Sequence, residues 1–109
     1  MVDYSHYSQG GKNMEFLNSA TAGTLESGDI MIMLDKADKK TGIEVNLKST
    51  VANQFGKRIK QVIVETLTEL GVDGVTVDAT DKGALDCTIK ARVKAVAYRA
   101  CGVQQPKWE

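Results

Sequence analysis

Ser27 stands in the stretch "TAGTLESGDIMIML", residues 21–34, flanked by Glu26 and Gly28 and two positions before Asp29. A hydroxyl in that company can do two kinds of chemistry. As a nucleophile it needs a base, and the chain's single histidine, His6, lies in a polar segment with nothing to hold it in place. A Ser-His-Asp hydrolase is thereby set aside. As the acceptor of a covalent group it needs only an exposed oxygen, a yielding backbone and small neighbours that admit a modifying enzyme. Thr24, Gly28 and the polar lead-in meet that description. The competing reading is structural, because Ser, Gly and Asp form turns through short side chains and a permissive backbone. Local chemistry by itself favours the turn.

Other residues capable of chemistry are few. Glu26 with Asp29, and Asp78 with Asp81 and Asp86, could be taken as paired carboxylates. Both sets fall at turns, where Asp binds nearby backbone amides, so structural roles are expected for them. Cys87 and Cys101 form no CxxC pair and have no clustered histidines, so no zinc site is expected. Cys87 reads as a small core residue. The phosphate-loop, dinucleotide, zincin and nucleophile-elbow motifs are all missing. The expected catalytic set and the expected metal set are therefore both empty. Lys90, Arg92, Lys94 and Arg99 line up as a basic stripe, read first as a solvated face and second as a docking surface for phosphates or an acidic partner.

The elements that must position Ser27 follow from periodicity. The 109 residues make one domain with a modest core, and 42% hydrophobic content with 26% charge is that of a folded chain. Fourteen basic residues balance fourteen acidic ones, which argues against nucleic acid as a partner. No apolar run reaches membrane-spanning length, so no membrane partner is expected and the cytoplasm is the expected location. Residues 1–20 read as a flexible lead-in, with residues 1–13 as an appended segment and Met14 as the native start. Residues 21–103 read as the functional domain and residues 104–109 as a tail that Trp108 would anchor.

Ile30, Ile32 and Leu34 alternate with Met31, Met33 and Asp35, predicting a strand that is central or covered on both faces. A second strand is predicted with Ile43, Val45 and Leu47 inward, pairing with the first as a hairpin across "KADKKTG". Val51, Phe55, Ile59, Val62, Ile63, Leu67 and Leu70 then recur at helical spacing over residues 50–70, with Ser49 or Thr50 as N-cap and Gly71 ending the helix. Val75, Val77 and Ala79 predict a third strand. Leu85, Cys87, Ile89, Ala91 and Val93 alternate over nine residues, predicting a fourth that gives way to a short helix near 94–101. The expected fold is α+β, in the order β-β-α-β-β with that short C-terminal helix, one long helix packed on a four-stranded, mainly antiparallel sheet.

Three separated stretches, "AGTLESGDIMI" at 22–32, "NQFGKRIKQVIVETL" at 53–67 and "DKGALDCTIKARVKAV" at 81–96, closely resemble the acyl carrier protein, or gamma subunit, of bacterial citrate lyase. The likeness covers roughly residues 14–109 and includes the terminal "PKWE". The resemblance implies a non-catalytic carrier in which Ser27 bears a phosphoribosyl-dephospho-CoA arm, attached through a phosphodiester by a dedicated prosthetic-group transferase. It implies two further partners: an alpha subunit that exchanges the thiol-bound acetyl for citryl, and a beta subunit that cleaves the citryl thioester to oxaloacetate. Glu26, Gly28 and Asp29 are the expected recognition surface for the transferase. The related carrier subunit of malonate decarboxylase resembles the same Ser-Gly-Asp segment and is the alternative. A small RNA- or protein-binding module, which would need clustered basic residues with exposed aromatics, is the more distant one.

Overall fold

Alternating apolar residues build a sheet whose inner face is dry and whose outer face meets solvent. The computed structural model describes residues 16–37, 42–49 and 52–102. Its elements are β1 (Ala20–Ala22), β2 (Ile30–Lys36), β3 (Ile43–Ser49), α1 (Ala52–Glu69), β4 (Val75–Asp81) and α2 (Asp86–Ala100). Ile30, Ile32 and Leu34 of β2, with Val75, Val77 and Ala79 of β4, are at most 2% exposed and floor the core. The intervening residues face outward: Met33 is 43% exposed. β2 is thus covered on one face only; of the two expected settings it takes the central one, paired on both edges.

The described strands form one sheet in the order β1-β2-β4-β3. β2 runs antiparallel to both neighbours, with Ala22 opposite Ile32 and Leu34 opposite Val77. β3 lies parallel to β4, Val45 beside Val77. A parallel pair cannot be joined by a tight turn, and α1 is the crossover that joins it. The predicted hairpin between β2 and β3 therefore does not form, because β4, with its uninterrupted buried set, takes the central place between them.

α1 forms where its period predicts. Ile59, Val62, Ile63 and Leu67 are buried, and the hydroxyl of buried Thr66 is satisfied by donating to the Val62 carbonyl at 2.7 Å. Gly71 at φ +75° ends the helix; its N–H donates to the Thr68 carbonyl and that of Val72 to Leu67, both at 3.0 Å. This double bond pattern is the Schellman close that a C′ glycine permits. Phe55, expected in the core, is 52% exposed. It borders an open groove of about 420 Å³ with Ile59, Ala84 and Leu85, and nothing among the described residues closes over it. Of the two expected N-caps, Ser49 ends β3 and donates to Asp81, and Thr50 lies outside the described residues.

The fold class holds, but the fourth strand comes from elsewhere. The alternating run at 85–93 is helical, the beginning of α2, and the three-residue β1 supplies the missing strand. α2 buries Ile89, Val93, Val96, Ala97 and Ala100, a helical stripe that continues past the alternating run. Leu85 is left 70% exposed and Cys87 also faces solvent, so Cys87 is not the core residue expected; Cys101 is buried, which pushes its thiol pKa up. α1 and α2 lie side by side on the inner face, α1 toward β3 and α2 toward β1 and β2. The lead-in boundary expected at residue 20 falls within a docked stretch, since Leu17 and Asn18 N–H groups both donate to the Ala100 carbonyl at 2.9 Å. The expected appended segment, His6, the "KKT" part of the turn and the Trp108 tail lie outside the described residues. Among the described residues no helix is long and apolar enough to cross a membrane.

Candidate functional site

Ser27 sits in the loop that joins β1 to β2, residues 23–29. The loop opens at Gly23, with φ +92°, where a Cβ would stand 1.8 Å from the Ile30 carbonyl oxygen. Only glycine lets the chain pass there. The loop closes in a β-turn over 26–29: the Asp29 N–H donates to the Glu26 carbonyl at 3.0 Å. Gly28 is the third residue at φ +84°, as a type II turn requires, and Ser27 is the second. Residues 24–28 are all exposed. Among the described residues nothing hydrogen-bonds the Ser27 hydroxyl, and a Cβ at Gly28 would meet no atom within 4 Å. The serine therefore projects from an open tip.

What lies beneath that tip is held firmly. The Gly28 N–H donates to the Lys82 carbonyl at 2.7 Å, and the Lys82 N–H donates back to the Asp29 carbonyl at 2.9 Å. Asp29, 9% exposed, gathers five further bonds on its carboxylate. Thr24 donates to Oδ2 from its N–H at 3.1 Å and its hydroxyl at 2.7 Å, and the Ile30 N–H donates to Oδ1 at 2.7 Å. Arg92 of α2 grips both oxygens, Nε to Oδ1 at 2.9 Å and Nη2 to Oδ2 at 3.0 Å. Two parallel charge-assisted bonds fix direction as well as distance. The same helix holds β1, since Arg99 Nη1 donates to the Thr21 carbonyl at 2.7 Å.

These contacts set the charge state. The Arg92 guanidinium, then the Thr24 hydroxyl and the Ile30 amide, hold the Asp29 carboxyl well below the usual carboxylate range, against the opposing effect of burial. Arg92 is raised in turn, chiefly by Asp29. A carboxylate with a depressed folded-state pKa stabilises the fold above its unfolded pKa of about 3.9, and that contribution is lost as pH falls below it. Between pH 5 and pH 2 the parent chain should therefore lose more of its urea resistance than an Asp29→Asn variant. Parallel midpoint-against-pH curves would remove Asp29 from the acid response.

Of the residues expected to face a transferase, Glu26 and Gly28 are exposed, and Asp29 turns its carboxylate inward to the loop's own base. The other carboxylates serve structure, as expected. Asp81 accepts from Ser49 at 2.8 Å and from the Gly83 and Ala84 amides, Asp78 accepts from Asn46, and Asp86 pairs with Arg58 at 2.7 Å. The basic stripe is not displayed as one surface: Arg92 and Arg99 are engaged at the loop and at β1, and only Lys90 and Lys94 remain of the four. Arg92 does not stand out in the sequence, because alternation at 85–93 puts it on the face opposite Ile89 and Val93, with the basic stripe. Helical spacing beside Ile89, Val93 and Val96 was the available signal.

The exposed serine thus stands on a braced hairpin loop, mounted on a sheet backed by two helices. Comparison with known proteins gives the class. The family model described as the malonate decarboxylase delta subunit (MdcD), an ACP family, matches residues 17–100. The citrate lyase acyl carrier protein of Streptococcus uberis is 54% identical over 96 residues, which cover 88% of this chain and 93% of that protein. Those of Lacticaseibacillus casei and Lactiplantibacillus plantarum are each 53% identical over the same share of this chain, covering 93% and 98% of theirs. A chain of a Pseudomonas malonate decarboxylase hetero-tetramer, solved in complex with malonate, shares the fold with a TM-score of 0.67 at 17% identity, covering 81% of this chain and 89% of that one. The chain belongs to the citrate lyase acyl carrier protein family.

Proposed function

We propose that this chain is the acyl carrier subunit of a citrate lyase, and that Ser27 carries its covalent arm, phosphoribosyl-dephospho-CoA. The observation that supports this most is the contrast at the loop: a hydroxyl with no partner among the described residues, at an open tip above a base fixed by Asp29, Arg92 and the Lys82 backbone. The residues fit a tethered group. A Cβ at Gly28 would meet no atom within 4 Å, and among the described residues no side chain bonds the Ser27 oxygen. Attached there, the arm supplies the sulfur on which acyl groups ride, so the protein needs no reactive cysteine of its own. The chain's part is to offer the oxygen, keep the attachment point still and leave the space around it clear. Tethering then keeps the acyl group at high local concentration for two active sites in turn.

Three partners follow from this reading. The alpha subunit would exchange acetyl for citryl, the beta subunit would cleave the citryl thioester, and the prosthetic-group transferase would load the arm. All three fit a cytoplasmic complex. Glu26 and the outward edge of Gly28 are the surface offered to the transferase, with Asp29 acting from beneath. Alanine at Glu26 should lower kcat/KM for arm attachment several-fold, as loss of a rim charge slows encounter, without changing stability. An unchanged kcat/KM would show that Glu26 is not read.

The carrier of malonate decarboxylase is the second reading, favoured by the matching family description and the shared fold. Relatives near 50% identity favour citrate lyase. Reconstitution decides between them. The arm-bearing, acetylated chain added to carrier-free alpha and beta subunits should restore citrate cleavage and should not restore malonate decarboxylation in the corresponding complex. The reverse result would transfer the chain to the second family.

A further inference from the structure

We infer that Arg92 is the positioning residue for modification of Ser27, acting through Asp29. This rests on the proposed role of Ser27 and adds to it a residue from the other end of the chain. The Ser27 loop is long for a hairpin connection, which commonly has two to five residues. A loop of this length keeps one shape only if something outside it holds it. Beside the Lys82 backbone, which bonds Gly28 and Asp29, three groups on α2 fasten the chain that leads into the loop and the residue that ends it: the Ala100 carbonyl takes Leu17 and Asn18, Arg99 takes Thr21, and Arg92 takes Asp29. The first two secure β1. Arg92 alone among them reaches the turn that carries the serine.

Asp29 closes the turn with its N–H, accepts from Lys82 with its carbonyl and ties back to Thr24 with its carboxylate. Arg92 therefore sets the plane of the carboxylate that ties the turn back to Thr24, while the two backbone bonds hold the residue from which that carboxylate extends. It also neutralises a carboxylate two residues from the oxygen that must meet an anionic donor. In the transfer itself the Ser27 oxygen bonds to the phosphorus of a polyphosphate-activated nucleotide donor. The bond from that phosphorus to the leaving pyrophosphate breaks with its electron pair, and the hydroxyl proton passes to the transferase. Every step requires the serine oxygen in line with the leaving group, so small displacements of the turn are costly.

Two variants test this. Arg92→Lys keeps the charge and loses the two-point grip. The double variant Asp29→Asn with Arg92→Gln removes both charges together and leaves no buried ion unpaired. Each is compared with the parent for kcat and KM of arm attachment, followed by intact mass, and for amide exchange at Gly28 and Asp29. Expected for both are core amides such as Val77 exchanging as in the parent, Gly28 and Asp29 exchanging at least about tenfold faster, and kcat down by roughly ten- to a hundredfold with KM within about twofold. Parent-like kcat in either folded variant overturns the inference. A parent chain that takes no arm overturns instead the reading of Ser27 on which it rests.

Discussion

A Ser27→Ala chain takes up no arm, supports no citrate cleavage when added to the other subunits, and unfolds at the same denaturant concentration as the parent. The three results belong together. Ser27 is exposed at the second position of its turn, and among the described residues its hydroxyl makes no hydrogen bond whose loss would weaken the fold. Exposed substitutions away from caps, buried groups and special backbone angles change stability by about 0.5 kcal/mol or less. The loss of loading, by contrast, is complete, because no other group in the loop offers an equivalent oxygen at the tip; the Thr24 hydroxyl is committed to Asp29 at 2.7 Å. Circular dichroism, a urea melt and intact mass on one preparation check all three. A loaded Ser27→Ala chain, or one that fails to fold, would contradict the assignment.

The opposite pattern is expected four residues earlier. Gly23→Ala should destabilise the domain by about 2–5 kcal/mol, combining a left-handed backbone angle with forced overpacking. Its Cβ would lie 1.8 Å from the Ile30 carbonyl oxygen and 3.2 Å from the Met31 Cα, backbone atoms that can move only by shifting β2 against β1. A domain of this size has about twice that stability to lose, so the urea midpoint should fall by roughly a third or more. Gly28→Ala is the internal control. It shares the positive φ but has nothing within 4 Å of the new Cβ, so the conformational cost of about 1–2 kcal/mol stands alone. Equal midpoints for the two variants would mean that the Gly23 contact, and with it the entry geometry of the loop, is misplaced.

Much of this was readable from residue order, and the failures have definite causes. α1 was legible over most of its length, because its apolar stripe from Ile59 and its C′ glycine agree on the same helix; its start was not, since Phe55 is exposed and Ser49 ends β3. β2, β3 and β4 were legible from alternation. The run at 85–93 was not: Ile89 and Val93 are four apart, a spacing that suits one face of a strand and one face of a helix equally. Val96, Ala97 and Ala100 break the tie, and they lie outside the alternating run. β1 escaped notice because three residues, Ala-Thr-Ala, carry no measurable period. Strand order was also hidden, since β3 and β4 become neighbours only through the crossover of α1.

At the site the division is sharper. Local chemistry offered Ser27 as a turn residue, and the turn is there; resemblance to the citrate lyase carriers supplied the reason to regard its hydroxyl. The role of Asp29 was partly visible as a turn carboxylate. Its partner was not, because Arg92 lies 63 residues further on and pairs with it only once α2 packs across β1 and β2. Long-range ion pairs leave no periodic trace in sequence. They emerge when two elements are placed.

The central claim, that Ser27 is the attachment point of a carrier, is met most directly by mass. The chain is incubated with a citrate lyase prosthetic-group transferase and its polyphosphate-activated nucleotide donor, and intact mass is followed by peptide mapping. The account predicts the added mass of one arm, located on the peptide that contains Ser27 and nowhere else. An unchanged mass from a folded chain and an active transferase, or an adduct mapped to another residue, would contradict it.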